Sequence, residues 1–259
     1  MSALDVWTLA FLFGFQIYFD FCAYSHIAIG SARLMGIKFP ENFNFPYMAN
    51  SPKEFWRRWH ISLSSWIRDY LYLPILKVKV GNTSTGGLGS QISDNKKHAA
   101  LFASWTIMGL WHGANWTFIL WGLYHALVIL IYRLITPYSI KINENIKKIA
   151  GVTLTLPIIM LSWIPFRSES LNNTFEMWLK VINPNEYYFL GLRENVYLIT
   201  ALIMSSIFFT YWIQKRVMPF ILKKYTVFLV VSEILMFAIM IPLVLIFFRP
   251  ISQFIYFQF

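Results

Sequence analysis

The sequence predicts an all-α, polytopic membrane protein with re-entrant and interfacial helices around a central funnel. Hydrophobic residues make up 57% of the 259 positions and charged residues only 13%, whereas a soluble domain runs near a quarter charged. Mean hydropathy is +0.53. The apolar residues gather in runs close to the ~20 residues that a bilayer crossing demands. In chain order these are Val6 to Ile29, Ala99 to about Leu110, Asn115 to Ile135, Gly151 to Pro165, Val196 to Ile213 and Val227 to Phe248. Several are short or interrupted, which predicts tilted, broken or re-entrant helices. Residues 1–259 read as a single membrane domain.

The first run does not have the form of a cleavable leader. Asp5 stands where a basic segment belongs, and no small-residue cleavage motif follows, so the run reads as a membrane helix. It contains Cys22, the one cysteine, which excludes a disulfide within the chain and reads as a small core residue. Asp20 and His26 lie on different faces of this helix, each able to bond a neighbouring helix. Pro40, Pro46 and Pro52 punctuate the next stretch. Its Asn42-Phe43-Asn44-Phe45-Pro46-Tyr47 is too apolar for a solvated linker and is placed against the membrane or inside the protein.

After Pro52 an amphipathic helix is expected. Phe55, Trp56, Trp59, Leu63, Trp66, Ile67 and Tyr70 share one side of the wheel, Arg57, Ser64 and Arg68 lie opposite, and His60 sits at the border. Such a helix lies at the interface, and its polar stripe is placed to border a cavity reaching towards His112. Gly81 to Ser93, rich in Gly, Ser, Thr and Asn, reads as a mobile loop.

From Ala99 to Ile135 only Arg133 is charged, yet Leu110-Trp111-His112-Gly113-Ala114-Asn115-Trp116 places an imidazole inside the run. Burying a histidine at membrane depth is costly, so it is by default a functional-site candidate. Gly113 permits close backbone approach, and Asn115, three residues on, is expected on the same helical face. His125, about 220° further round a continuous helix, is expected to face away as a structural or interfacial residue.

The chain carries 22 Lys and Arg against 12 Asp and Glu, a net charge of +10. The basic residues sit in short connections, at Lys96-Lys97, Lys141 with Lys147-Lys148, and Lys215-Arg216 with Lys223-Lys224, which by the positive-inside rule face the cytoplasm. The charge is therefore a topology signal, and nucleic acid is not an expected partner. Ser168 to Asn195 and the tail after Arg249 fall on the other side. His60, His112 and Asp20 lack a ligand spacing such as His-Glu-x-x-His, so no metal site is expected.

Glu54-Phe55-Trp56-Arg57-Arg58-Trp59-His60-Ile61-Ser62-Leu63-Ser64, Ile67-Arg68-Asp69-Tyr70-Leu71-Tyr72 and Gly109-Leu110-Trp111-His112-Gly113-Ala114-Asn115-Trp116 resemble the two signature blocks of the membrane-bound O-acyltransferase (MBOAT) family, in the bacterial branch typified by alginate O-acetyltransferase. Tyr18 to Ser25, Phe39 to Phe43, Ser162 to Arg167 and the terminal Phe254 to Phe259 extend the likeness. The resemblance implies a multi-pass protein of the bacterial inner membrane that transfers an acyl group, usually acetyl, from a cytoplasmic thioester donor to hydroxyls of an extracellular polysaccharide. Its catalytic histidine matches His112, and His60 matches a second polar position of the active site. Arg57, Trp111 and Asn115 are the candidate substrate-binding residues.

The donor, acetyl-CoA or an acyl-carrier protein, would be a substrate, and no bound cofactor is expected. Expected partners are membrane lipid and either the polysaccharide or a secreted acyl-transfer protein. A neutral imidazole can take a sugar hydroxyl's proton as it attacks the thioester, while His60 or Asn115 orients the donor or donates to the oxyanion. No Gly-x-Ser-x-Gly elbow argues for another acyl transferase.

Two departures qualify the likeness. Ile75-Leu76-Lys77-Val78-Lys79-Val80 stands where the family often has a Gly-Gly-Asn turn. The resemblance also covers only the carboxy-terminal half of longer proteins, so a fragment, a truncated product or one half of a split enzyme is expected, with a non-catalytic membrane remnant as the alternative. An isolated half would show an open groove along its first helix and the helix after Gly113, where the missing amino-terminal half would pack. If His60 and His112 share one site, their side chains lie within about 12 Å, the reach of one bridging atom and two hydrogen bonds.

Overall fold

The structure is a computed structural model and describes residues 1–78, 92–136, 143–224, 235–236 and 238–242. Most of the predicted Gly81 to Ser93 loop, most of the last predicted span and the whole tail after Arg249 lie outside the described residues. All regular structure among the described residues is helical. Helix α1 covers Ala3–Leu34, α2 Pro52–Phe55, α3 Ile61–Ile67, α4 Leu73–Ile75, α5 Asp94–His112, α6 Trp116–Ile135, α7 Glu144–Arg167, α8 Leu171–Ile182, α9 Glu194–Trp212 and α10 Met218–Lys224. Among the described residues four stretches are long and apolar enough to cross a membrane: Ala3–Leu34, Trp116–Ile135, Glu144–Arg167 and Glu194–Ile221. The chain divides into two compact units, Met1–Tyr197 and Leu198–Phe259.

Helix α1 starts cleanly because Ser2 Oγ accepts the Asp5 N–H at 3.1 Å while Asp5 Oδ2 accepts the Ser2 N–H at 2.6 Å. The same buried carboxylate accepts the N–H groups of Gly191 and Leu192, each at 3.1 Å, and the Tyr197 hydroxyl. An aspartate that reads as a mere leader anomaly is thus the clamp joining α1 to the 188–197 segment. Every bond to it is charge-assisted, which is what makes burial tolerable.

α5 and α6 form an antiparallel hairpin whose axes meet at two glycines. A Cβ on Gly109 would stand 2.3 Å from the Phe118 carbonyl oxygen, and one on Gly122 would stand 2.2 Å from that of Trp105. Small residues permit this approach, which in an apolar setting gains dispersion contacts rather than hydrophobic burial. α7 packs against both α1 and α6.

α8 has 12 residues, too short to span. Met177, Trp178 and Val181 pack on Val6, Ala10 and Ile164, and the Trp178 Nε1–H donates to the Leu161 carbonyl at 3.2 Å. Phe175, Leu179 and Ile182 are left exposed on the other side, the pattern of a helix lying in an interface.

The stretch after Pro52 departs from the expected single helix. α2 ends at Phe55, a turn follows, and α3 restarts at Ile61 before widening into a π-helical segment over Arg68–Tyr72. The break sits at His60, whose φ of 43° and ψ of 55° are left-handed, a conformation a Cβ-bearing residue holds only when its surroundings impose it. Phe55, Trp56, Trp59 and Ile67 are buried as the wheel predicts, whereas Trp66 and Tyr70 are exposed and stack on each other. The preceding Asn42–Tyr47 stretch is packed into the protein, with Phe43, Pro46, Tyr47 and Met48 buried.

Candidate active site

His112 is the last residue of α5, where Gly113 N–H closes the helix on the Leu110 carbonyl at 3.2 Å. Its imidazole is walled by aromatic rings: Trp111 at 4.9 Å, Trp121 at 5.0 Å and Phe166 at 5.1 Å between centroids, all edge-on, with Phe118 tilted at 6.4 Å. The walls come from α5, α6 and α7, so the hairpin and the α7 terminus together fix the ring.

His60 arrives from the irregular segment and is 8% exposed. Phe21 of α1 meets it edge-on at 4.7 Å. Its Nδ1 lies 3.2 Å from Asn42 Oδ1, which also accepts the Ser62 N–H at 3.2 Å and the Ser62 hydroxyl at 3.0 Å. Since that oxygen only accepts, His60 Nδ1 carries the proton and Nε2 the lone pair. Asn42 is itself placed by its Nδ2, which donates to Ser25 Oγ at 3.3 Å. Burial holds the His60 pKa down at about 4, so the ring is neutral near pH 7. A neutral His60 with this tautomer can receive a hydrogen bond or a proton at Nε2. It cannot donate to an oxyanion from that atom, which narrows the expectation read from sequence.

The Trp111 ring lies 6.3 Å from His60 and 4.9 Å from His112. These two steps bound the separation of the imidazoles below the ~12 Å reach of a shared site. Trp111 is 57% exposed, so the indole joining the two histidines is also open to an arriving ligand. Asn115 is not on the His112 face. The helix ends at Gly113, and the Asn115 side chain caps α6 by accepting the Thr117 N–H at 3.1 Å. Among the described residues Arg57 forms no hydrogen bond or ring contact with either histidine. It lines a cavity of about 680 Å³ together with Lys53, Ser64, Arg68, Trp105 and Arg133, and the predicted polar stripe of Arg57, Ser64 and Arg68 therefore borders one cavity.

Met108, one turn before His112 on α5, also lines this cavity. Arg68 is paired bidentately with Asp69, at 2.7 and 3.0 Å, and the Arg133 guanidinium carbon lies 5.8 Å over the Tyr72 ring. Four cations around one concavity make it receptive to anionic groups. Its lining includes Leu101, Ser104 and Trp105 of α5 and Tyr132, Arg133 and Thr136 at the carboxy-terminal end of α6. A second cavity, of about 470 Å³, lies between α1, α7 and α8 and is lined by Gln16, Trp163, Arg167, Glu169 and Asn173.

Sequence reading misses three residues of this constellation. Asn42 is signalled only by being polar in an apolar loop. Trp121 touches His112 and, at 4.8 Å, His125. His125 does not face away: the helix breaks at 113–115, so the angular count restarts at α6, and the ring turns inward to full burial. Among the described residues no three His, Cys, Asp or Glu side chains gather where a metal could be shared.

Comparison with known proteins bears on the same segment. Residues 3–167 match the model of the MBOAT, membrane-bound O-acyltransferase, family. The chain is 35% identical over 209 residues to a probable alginate O-acetylase of Azotobacter vinelandii, covering 80% of this chain and 38% of that protein. It is 34% identical over 185 residues to a peptidoglycan O-acetyltransferase of Helicobacter pylori, covering 71% and 33%. A teichoic acid D-alanyltransferase of Streptococcus thermophilus is 31% identical over 172 residues, covering 60% and 40%. The chain thus spans between a third and two fifths of these curated relatives.

Proposed function

Because this chain belongs to the membrane-bound O-acyltransferase family, as a multi-pass membrane protein, we propose that it carries the reaction centre of an O-acyltransferase of cell-envelope polymers. It moves an acetyl group from a cytoplasmic thioester donor, acetyl-CoA or an acyl-carrier protein, to hydroxyls of an extracellular polysaccharide, directly or through a secreted partner protein. The observation that carries this reading is two imidazoles against one half-exposed indole, beside a cavity ringed by Lys53, Arg57, Arg68 and Arg133. Phosphates of the donor suit those cations, and the thioester end then lies towards Met108 and His112.

His112 is the general base. As the acceptor oxygen attacks the thioester carbonyl, the imidazole takes the hydroxyl proton, the C–O bond forms, the C–S bond breaks, and the proton passes to the departing thiolate. Positioned proton transfer of this kind contributes about 10²- to 10⁴-fold. His60 receives a hydrogen bond from substrate at Nε2, and the indole N–H of Trp111, whose ring lies between the two imidazoles, donates to the developing oxyanion. The second cavity is on the acceptor side, its Phe13 and Trp163 reaching His112 through Phe166.

The test is polymer O-acetylation in cells expressing the chain together with the remaining segments that its longer relatives carry. His112→Ala abolishes acetylation while the protein still inserts in the membrane. Retention of a substantial part of wild-type acetylation contradicts the base assignment.

A further inference from the structure

His125 is fully buried, yet it makes one directional contact that a packing residue would not need. The Trp56 Nε1–H donates to its Nδ1 at 3.3 Å. An indole nitrogen only donates, so Nδ1 carries the lone pair and the ring proton sits on Nε2. That Nε2 has no hydrogen-bond partner among the described residues. Trp105 stacks on the ring at 5.4 Å and Trp121 meets it edge-on at 4.8 Å. A phenylalanine would fill this box of indoles without the unpaired Nε2–H, but it would leave the Trp56 N–H without its acceptor, so the imidazole accepts one unpaired buried N–H on itself in order to pair that of Trp56.

What the cost secures is the orientation of Trp56. That indole follows the short α2, where no regular helix fixes it, and it lines the 680 Å³ cavity against Trp105 at 4.5 Å. Without an acceptor its own buried N–H would be unpaired, which favours rotation out of the wall.

We propose that His125 is a positioning residue of the acyl-transfer site: by accepting the Trp56 N–H it holds that indole as the inner wall of the cavity, in the pose against which the acyl thioester binds. The inference rests on the reading of that cavity as the donor site. His125 touches no substrate in this scheme and acts through Trp56.

His125→Asn and His125→Gln remove the same ring, but the Asn amide oxygen stands near the Nδ1 position and keeps an acceptor for Trp56, whereas the Gln oxygen stands near Nε2. The chain, together with the remaining segments that its longer relatives carry, is titrated calorimetrically in lipid nanodiscs with acetyl-CoA and, separately, with acetyl-phosphopantetheine, beside steady-state assays of donor KM and kcat. His125→Gln and Trp56→Phe are expected to weaken donor binding and raise donor KM about tenfold, with kcat changed less than about twofold, the effect of one hydrogen bond on a binding pose. His125→Asn restores binding to within about threefold of wild type, and the Gln/Phe double variant is no worse than either single one.

Equal effects of Asn and Gln, or a double variant that multiplies the two losses, overturn the positioning role while leaving the donor cavity in place. A wild-type assembly of the chain with those segments that binds neither donor overturns the reading of the cavity and this inference with it. Packing loss cannot mimic the expected result, since Asn is one methylene smaller than Gln and packing alone would make it the worse variant.

Discussion

The two histidines reach one indole by opposite routes. His112 terminates a regular 19-residue helix that is locked to its hairpin partner at Gly109 and Gly122. His60 occupies a left-handed break and is held there by a loop: Asn42 accepts from its ring and from Ser62, the Ile61 N–H donates to the Asn42 carbonyl at 3.0 Å, and the Asn44 N–H donates to the Arg58 carbonyl at 2.9 Å. One side chain is fixed by its element and the other by the over-determination of a strained turn. Rigid helices place a group well but limit its direction. A pinned irregular segment can aim a ring where no helix phase would, provided several hydrogen bonds share the load.

That contrast is broken most severely at His112. His112→Ala should cost acyl transfer about 10²- to 10⁴-fold, and His60→Ala less, because His60 supplies a hydrogen bond rather than the proton transfer. Matched kinetic assays of the two variants check the order, and equal losses would make the pair a single coupled base.

The scaffold half of the comparison is tested by Gly122→Val. Its side chain would start 2.2 Å from the Trp105 carbonyl oxygen, so the hairpin must open, at a cost of about 1–3 kcal/mol in unfolding free energy. Thermal unfolding in detergent reads it, with Ser205→Val on the exposed face of α9 as the control that should change little.

The pinned half is tested by pH. The His60 pKa is about 4 when folded and 6.5 when free, so the unfolded chain binds more protons in that window and stability is lost as pH falls from 6.5 towards 4. At full expression this amounts to about 3 kcal/mol. His60→Asn should show a shallower loss of stability over that window and match the wild-type slope above pH 7. Superimposable profiles would mean that His60 is protonated freely in the folded protein.

How far this could be read from sequence differs between the two routes. Helices have a period and a length, so α1, α6 and α7 are legible to within a few residues to a turn or two of their ends, and His112 stands out as an imidazole in an apolar run. The wheel drawn through Pro52 to Tyr70 assumes one continuous phase, and nothing in Trp59-His60-Ile61 announces a left-handed residue. The same assumption puts Asn115 beside His112 and His125 on the far face, although Gly113-Ala114-Asn115 resets the phase and turns Asn115 into a cap. Asn42 is 18 residues from the ring it orients, and no local pattern encodes that pairing.

The smallest expected effect separates those two readings of Asn115. As a cap, Asn115→Ser keeps its stability and Asn115→Ala loses about 1 kcal/mol. If the amide also serves the oxyanion, Asn115→Ser loses transfer at unchanged stability, a difference that chemical denaturation and rate measurements on the same preparations resolve.

The claim on which the rest depends is that His60 and His112 face one site across Trp111. It is tested by placing cysteines at both positions in a Cys22→Ala background and treating membranes with bifunctional thiol reagents of graded length. Reagents whose reach matches the 6.3 and 4.9 Å ring-to-ring steps should link the two residues within one chain, and Trp111→Ala should speed the reaction by clearing the path. Linkage only by reagents much longer than ~12 Å, beyond what one bridging atom and two hydrogen bonds can span, would place the histidines in separate environments and contradict the shared site.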